Sequence, residues 1–308
     1  MNKTVEIKKK NKDLTYLIFP ICIFLLLYFK REVKEGIFEG FLLSYTTVIP
    51  AVFPFFILSD LWNKSNSSYK EGIISRLFEK TFLLNRLSLS AFICGYICGF
   101  PMGVKIANNL YVRGVLTKEE LEKICPLINN PSIIFVISGV GFGLFNSMKI
   151  GIILYLSVVF SSIIICFLLR EKGAAYLNSN VILKQKYTLT ESIKNAGLNS
   201  IYITSYIIFF SAILSIISSI VKNQVILTAI YTLSEISNSV FAINNLDYLD
   251  VGVKISLISF SLGFSGLCVF LQAFSFLPKE ISKIKYLIIK LFQGLLSSIL
   301  TCIFLALK

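Results

Sequence analysis

The chain has no histidine at all, only one tryptophan, and few charges for its length: Asp, Glu, Lys and Arg together make 15% of its residues. The missing histidine removes the usual zinc sites, the Ser-His and Cys-His nucleophile pairs, and imidazole proton relays. Its seven cysteines, Cys22, Cys94, Cys98, Cys125, Cys166, Cys268 and Cys302, include no C-x-x-C pair and lie in or beside apolar runs. They read as small buried residues rather than as zinc ligands or a disulfide framework. A polar stretch long enough to build a soluble basic domain is also missing. The net charge of +13 therefore does not point to nucleic acid, since the lysines and arginines fall in short connections, where membrane proteins carry their topology signals.

What the sequence does have is apolar length. Hydrophobic residues make 55% of the 308, and runs of roughly twenty recur from end to end, the length that crosses a bilayer as a helix. The expected fold is all-α: a polytopic helical membrane protein of about seven to nine membrane segments. Lys3, Lys8, Lys9, Lys10 and Lys12 precede the first apolar run, Leu14 to Phe29, and Lys30-Arg31 follows it at once. With no small-residue cleavage site, that run reads as a retained first helix with a cytoplasmic N-terminus rather than a signal peptide.

The next segment, about Gly36 to Leu61, carries Pro50 and Pro54 and ends in Asp60-Leu-Trp62, two helix-opening prolines and an interfacial anchor. Ile73, Ile74, Leu77 and Phe78 fall at helical spacing in the basic stretch that follows, the pattern of an amphipathic helix lying at the interface. Gly95, Gly99 and Gly103 then form a ladder running into Pro101 and Lys105. Glycines four apart admit a close backbone neighbour, and the proline breaks the helix where irregular backbone survives only if buried or lining a cavity. Thr117-Lys-Glu-Glu120 is a capping-box helix start. Gly139, Gly141 and Gly143 have no strand–helix alternation around them and read as packing glycines, not a dinucleotide loop.

The second half echoes the first. Glu35 to Ser44 aligns with Glu191 to Ser200, Phe53 with Phe209 and Ile57-Leu58-Ser59 with Ile213-Leu214-Ser215, without gaps. Gly95 and Gly99 find weaker echoes in Gly263 and Gly266. The expected organisation is a basic tail and first transmembrane helix at 1–33, a first repeat at 34–169, a polar cytoplasmic linker at 170–194 and a second repeat at 195–308. If the glycine ladder re-enters rather than crosses, both basic loops stay on the N-terminal side and the repeats are inverted, with broken or re-entrant helices as in secondary transporters. The lysines 279, 283, 285 and 290 read as one basic connection near the C-terminus that fits either topology.

Glu235 is the sharpest single residue, an acid in the otherwise uncharged run Val225 to Ile243. An acid at membrane depth is costly unless paired or hydrated and is functional by default, against the alternative of a buried structural acid. At helical spacing Thr228, Thr232, Asn238, Ser239 and Ala242 join it in one stripe, and Ser261, Ser265, Cys268 and Gln272 make a second on the segment 254–277. Asn129, Asn130 and Pro131 put two amides before a proline-started helix, either an ordinary turn or a site facing an anion or a carbonyl. Gly103 and Lys105 close the ladder, and Lys105 either snorkels or supplies a cation. No nucleophile–base pair, metal-ligand cluster or phosphate loop is present, so neither an enzyme nor a cofactor or metal is expected.

The residues Val48-Ile-Pro-Ala-Val-Phe-Pro-Phe-Phe-Ile-Leu-Ser59, Gly95 to Lys105, Asn129-Asn130-Pro131, Ser234-Glu-Ile-Ser-Asn238 and Gly263 to Gln272 resemble the sporulation integral membrane protein family of YlbJ type. That family carries nucleoside-recognition gate domains. The resemblance covers roughly residues 35–305, with Ser237-Asn238-Ser239 departing from the family's Thr-Asn-Gly. It implies a transporter-like protein in a bacterial cell membrane, that around the forespore included, which moves dipicolinate. The expected mechanism is alternating access of a small polar or anionic aromatic solute. Its substrate-binding residues would be Asn129, Asn130, Pro131, Glu235, Asn238, Ser239, Ser265, Gln272, Gly103 and Lys105. A nucleoside transporter and a non-transporting scaffold or assembly protein are the alternatives. The partners expected are the lipid bilayer and a small solute, with no nucleic acid and with homo-oligomerisation left open.

Overall fold

A computed structural model describes residues 13–64, 72–170 and 188–307. The N-terminal lysines at 3–12 and most of the expected 170–194 linker lie outside the described residues. Among the described residues every regular element is helical. Five helical stretches are long and apolar enough to cross a membrane: Lys30–Trp62, Met148–Leu168, Leu189–Ile220, Val251–Phe274 and Lys283–Ala306. Shorter apolar helices accompany them. The chain is a multi-pass helical membrane protein.

The order is α1 (Asp13–Tyr28), α2 (Lys30–Leu43) running through a π-turn at Ser44–Val48 into α3 (Ile49–Lys64), and then α4 (Ile73–Phe82). At 16 residues, α1 is shorter than the roughly 20 that span a bilayer. The π-turn has a local cause. Pro50 has no N–H to return to the preceding turn, and Ser44 Oγ and Thr46 Oγ1 each hydrogen-bond a carbonyl four residues back, at 2.8 Å. In α4, Ile73, Ile74 and Leu77 are exposed while Phe78 is buried, so most of its apolar side is left uncovered, as on an amphipathic helix at an interface.

Next come two short helices, α5 (Leu89–Ile97) and α6 (Met102–Val112), folded back on each other as a hairpin. A Cβ on Gly103 would lie 2.9 Å from Gly95 Cα and 3.1 Å from the Ala91 carbonyl, contacts impossible along one continuous helix. The helix α7 (Lys118–Ile128) opens on the expected capping box, with Glu120 N–H donating to Thr117 Oγ1 at 3.2 Å and Thr117 N–H to Glu120 Oε2 at 2.8 Å. It breaks at Asn129–Asn130–Pro131 and resumes as a π-helix, Phe135–Phe142, and α8 (Gly143–Phe145). Helix α9 (Met148–Leu168) follows, and of the three glycines near 141 only Gly141 meets it closely, backbone to backbone with Gly151.

The second half holds α10 (Leu189–Ile220), α11 (Gln224–Ser234), α12 (Ile236–Asn244), α13 (Val251–Phe264), α14 (Gly266–Phe274) and α15 (Lys283–Ala306). Here the structure corrects the single-helix reading of Val225 to Ile243. The run folds into a second hairpin, α11 against α12, with Glu235 in extended conformation at its tip (φ −147°, ψ 127°). Thr232 and Ser239 hydrogen-bond at 3.0 Å because the arms fold together, not because they share a stripe. The segment 254–277 is likewise two helices, broken at Ser265 and Gly266 with φ of +73° and +77°. A further correction concerns Lys290. It is not part of a surface connection but 2% exposed inside α15.

The broken helix 251–274 is central, with 67% of its apolar window buried, against 17% for Lys30–Trp62. It crosses α15 through small residues. Ser259 Oγ shares hydrogen bonds of 2.7 Å with Ser297 and Thr301, and a Cβ on Gly263 would lie 2.8 Å from Gly294 Cα. Helices in lipid gain little from burying apolar surface against each other, so close backbone approach and interhelical hydrogen bonds, about 0.6 kcal/mol each, hold such crossings.

Candidate functional site

Each hairpin tip abuts a broken helix. In the first half the tip is Gly99-Phe100-Pro101, with a cis Phe100–Pro101 bond and Gly99 at φ +79°. Gly99 is required twice, for that left-handed backbone and because a Cβ there would lie 2.5 Å from Ser132 N. Phe100 N–H donates to the Asn130 carbonyl at 2.8 Å, so the tip satisfies a carbonyl that the break in α7 leaves open. In the second half the tip is Ser234-Glu235, and it presses on the left-handed Ser265-Gly266 pair. A Cβ on Gly266 would lie 3.0 Å from the Ser234 carbonyl.

Between the two tips lies a small, partly open cavity of about 30 Å³. The first half contributes Cys98, Gly99, Phe100, Ser132 and Phe135, and the π-turn and α3 add Val48, Ala51 and Val52. The second half contributes Glu235, Ile236, Ser237, Val269 and Gln272, and α10 adds Ile207. Most of the wall is apolar, with a few polar groups placed on it, the usual make-up of a small-molecule site. Glu235 is 2% exposed. Its Oε2 accepts the Asn238 N–H at 2.8 Å, capping α12, and the positive end of that helix favours the carboxylate. Gln272 Nε2 donates to Cys268 Sγ at 3.4 Å, while its buried Oε1 has no hydrogen-bond partner among the described residues. A wall with an acid, an unsatisfied amide oxygen and two serines offers hydrogen-bond acceptors toward the cavity.

The candidates named from sequence take different places. Glu235 and Gln272 line the cavity. Ser265 lines a separate, smaller cavity of about 10 Å³, with its Oγ donating to the Leu262 carbonyl at 3.1 Å. Ser239 is fully buried between the arms, accepting from Ser261 Oγ at 2.8 Å, and Asn238 serves through its N–H to Glu235. Asn130 spans the break: its Nδ2 donates to the Leu127 carbonyl at 2.6 Å and its Oδ1 accepts from Gln293 at 2.7 Å. Asn129 Nδ2 donates to Tyr286 Oη at 2.7 Å, and Pro131 lies buried between Asn130 and Ser132. Gly103 packs within the α5–α6 hairpin and against α7, since a Cβ there would lie 2.6 Å from the Ile128 carbonyl. Lys105 Nζ donates to Asn199 Oδ1 at 3.2 Å on α10.

Sequence reading did not single out the polar stripe on α15. Tyr286, Lys290, Gln293, Ser297 and Thr301 are all buried on one face. Lys290 Nζ donates to the Asn129 carbonyl at 3.1 Å and to Gln293 Oε1 at 2.9 Å. The signal was available: these residues are spaced by three or four along an apolar run, the same test that found the other stripes. Among the described residues no cluster of acids and cysteines could hold a metal ion. No family model, no curated protein and no solved structure matches the chain.

Proposed function

We propose that this chain is a gate-type membrane transporter that passes a small polar or anionic aromatic solute by alternating access, with the cavity between the two hairpin tips as its binding site. The observation that carries the reading is convergence. Two hairpins and two broken helices, far apart in sequence, meet around one cavity that holds Glu235 and Gln272. Interrupted helices are tolerated at membrane depth where they line a cavity, and transporters place their sites there.

The order of elements supports two related halves. A long helix, a hairpin, a broken helix and an unbroken helix occur as α2–α3, α5–α6, α7 with its π-helix, and α9, and again as α10, α11–α12, α13–α14 and α15. The corresponding long helices run antiparallel: Gly36 faces Ser211 and Ser215, and Gly40 faces Ile208, as inverted repeats require. On this pairing the counterpart of the Gly99–Pro101 tip is the Glu235 tip, and the counterpart of the Asn129–Pro131 break is the Ser265–Gly266 break.

The family resemblance makes dipicolinate the first solute to try and nucleosides the second. Direct binding to the purified chain in detergent tests the site. The expected result is saturable heat of binding for one of these solutes, reduced at least tenfold in affinity in Glu235→Gln and in Gln272→Leu, because each removes a polar contact buried at about 1.4 kcal/mol per tenfold. Saturable binding left unchanged in both variants would remove the site from this cavity.

A further inference from the structure

Lys290 brings its side-chain amine into the interior, and among the described residues no carboxylate pairs with it. Its surroundings are oxygens. Its Nζ donates to the Asn129 carbonyl at 3.1 Å and to Gln293 Oε1 at 2.9 Å. Asn129 caps the C-terminal end of α7 at the break, so that carbonyl lies at the negative end of a helix and has no following turn to satisfy it. A second oxygen of the same residue, Oδ1, is fully buried with no hydrogen-bond partner among the described residues. Carbonyl and amide oxygens at the carboxyl end of an interrupted helix are the donor set that hard monovalent cations take in membrane interiors. Here the arm of a lysine reaches into it.

We propose that the Lys290 ammonium is a resident, tethered cation, and that the oxygen cluster around it becomes a binding site for a small free monovalent cation once the amine is removed. Three features argue for this over an ordinary buried lysine. The ammonium lies at the chain break rather than along a complete helix, so the acceptor it satisfies exists because the helix is interrupted. Gln293, one turn further along α15, turns its oxygen to Lys290 and its nitrogen to Asn130 Oδ1 at 2.7 Å, which ties the cation to both asparagines. Asn130 in turn receives the Phe100 N–H of the first hairpin tip, so hydrogen bonds through Gln293 and Asn130 connect Lys290 to the wall of the solute cavity. The proposal holds whether or not that cavity passes a solute.

The test is thermal unfolding of the purified full chain in detergent, in sodium, potassium and choline chloride at matched ionic strength, with direct binding of radioactive sodium alongside. The wild type is expected to unfold at the same temperature in sodium and choline and to bind no sodium saturably. Lys290→Ala and Lys290→Ser are expected to unfold several degrees lower in choline, and to recover with sodium or potassium along a saturating curve. Lys290→Met, whose apolar stem fills the space without a charge, is expected to gain nothing from either ion. Saturable sodium binding by the wild type would overturn the proposal. So would Ala and Ser variants that are indifferent to the cation, or that fail to fold in every salt.

Discussion

Gly103 shows how one residue type answers different needs. It stands within the motif that drew attention in the sequence, yet its environment is packing: the Ile128 carbonyl, Gly95 and Ala91 all lie within 3.1 Å of where a Cβ would be. Gly103→Ala must push backbone aside, and an overpacking cost of about 1–3 kcal/mol is expected. Gly197 in α10 has nothing within 4 Å of the same point, and Gly197→Ala should stabilise by about 0.4–1 kcal/mol through the unfolded chain. Unfolding midpoints of the two variants measured together check both signs. The burial of an acid was legible where its type is costly in lipid, as with Glu235 in the cavity wall. Composition hid Lys290, since a lysine after four apolar residues and close to three other lysines looks like one at the membrane surface, and only its helical spacing with Tyr286, Gln293 and Ser297 marks it.

Elements were legible where local rules act alone. The capping box at Thr117 starts α7 as expected, and the glycine ladder marks a hairpin, as re-entry requires. The α11–α12 hairpin was hidden for a physical reason. Its turn contains neither glycine nor proline, and Ser234-Glu235-Ile236 becomes a turn because Glu235 caps its own following helix and because Gly266 leaves room for the tip. Both causes are tertiary. The polar end of α7 also predicts a pH response. Burial pushes the Glu122 carboxyl up, but the Lys285 ammonium at 2.9 Å and the Ser282 N–H at 3.0 Å outweigh this and hold it below the usual carboxylate range. A folded value depressed below the unfolded one, about 4.3 for glutamate, gives stability that is complete above the unfolded value and lost as pH falls through the folded one. The unfolding midpoint should therefore drop on acidification below about pH 4.3, and Glu122→Gln should lower the midpoint near neutrality while flattening that acid slope. An equally steep slope in the variant would assign the acid response elsewhere.

At the scale of the molecule, continuous apolar helices form the outside and interrupted ones the inside. Lys30–Trp62 buries under a fifth of its apolar stretch while Val251–Phe274 buries two thirds of its own. Broken backbone needs partners for its open carbonyls and N–H groups, and here each break finds them in a hairpin tip or a neighbouring helix. The membrane class followed from composition, because run length is a whole-chain property that survives any local error. The meeting of the two tips did not follow, since it depends on how two halves separated by the 170–188 stretch pack together. The cavity they enclose is the centre of the account, and uptake into vesicles that contain only this chain tests it most directly. With dipicolinate and nucleosides as the offered solutes, the account predicts uptake of one of them by the wild type and at least a tenfold loss in Glu235→Gln at equal protein content, matching a contact of about 1.4 kcal/mol. Uptake that proceeds at the wild-type rate in Glu235→Gln, or vesicles that take up none of these solutes, would contradict it.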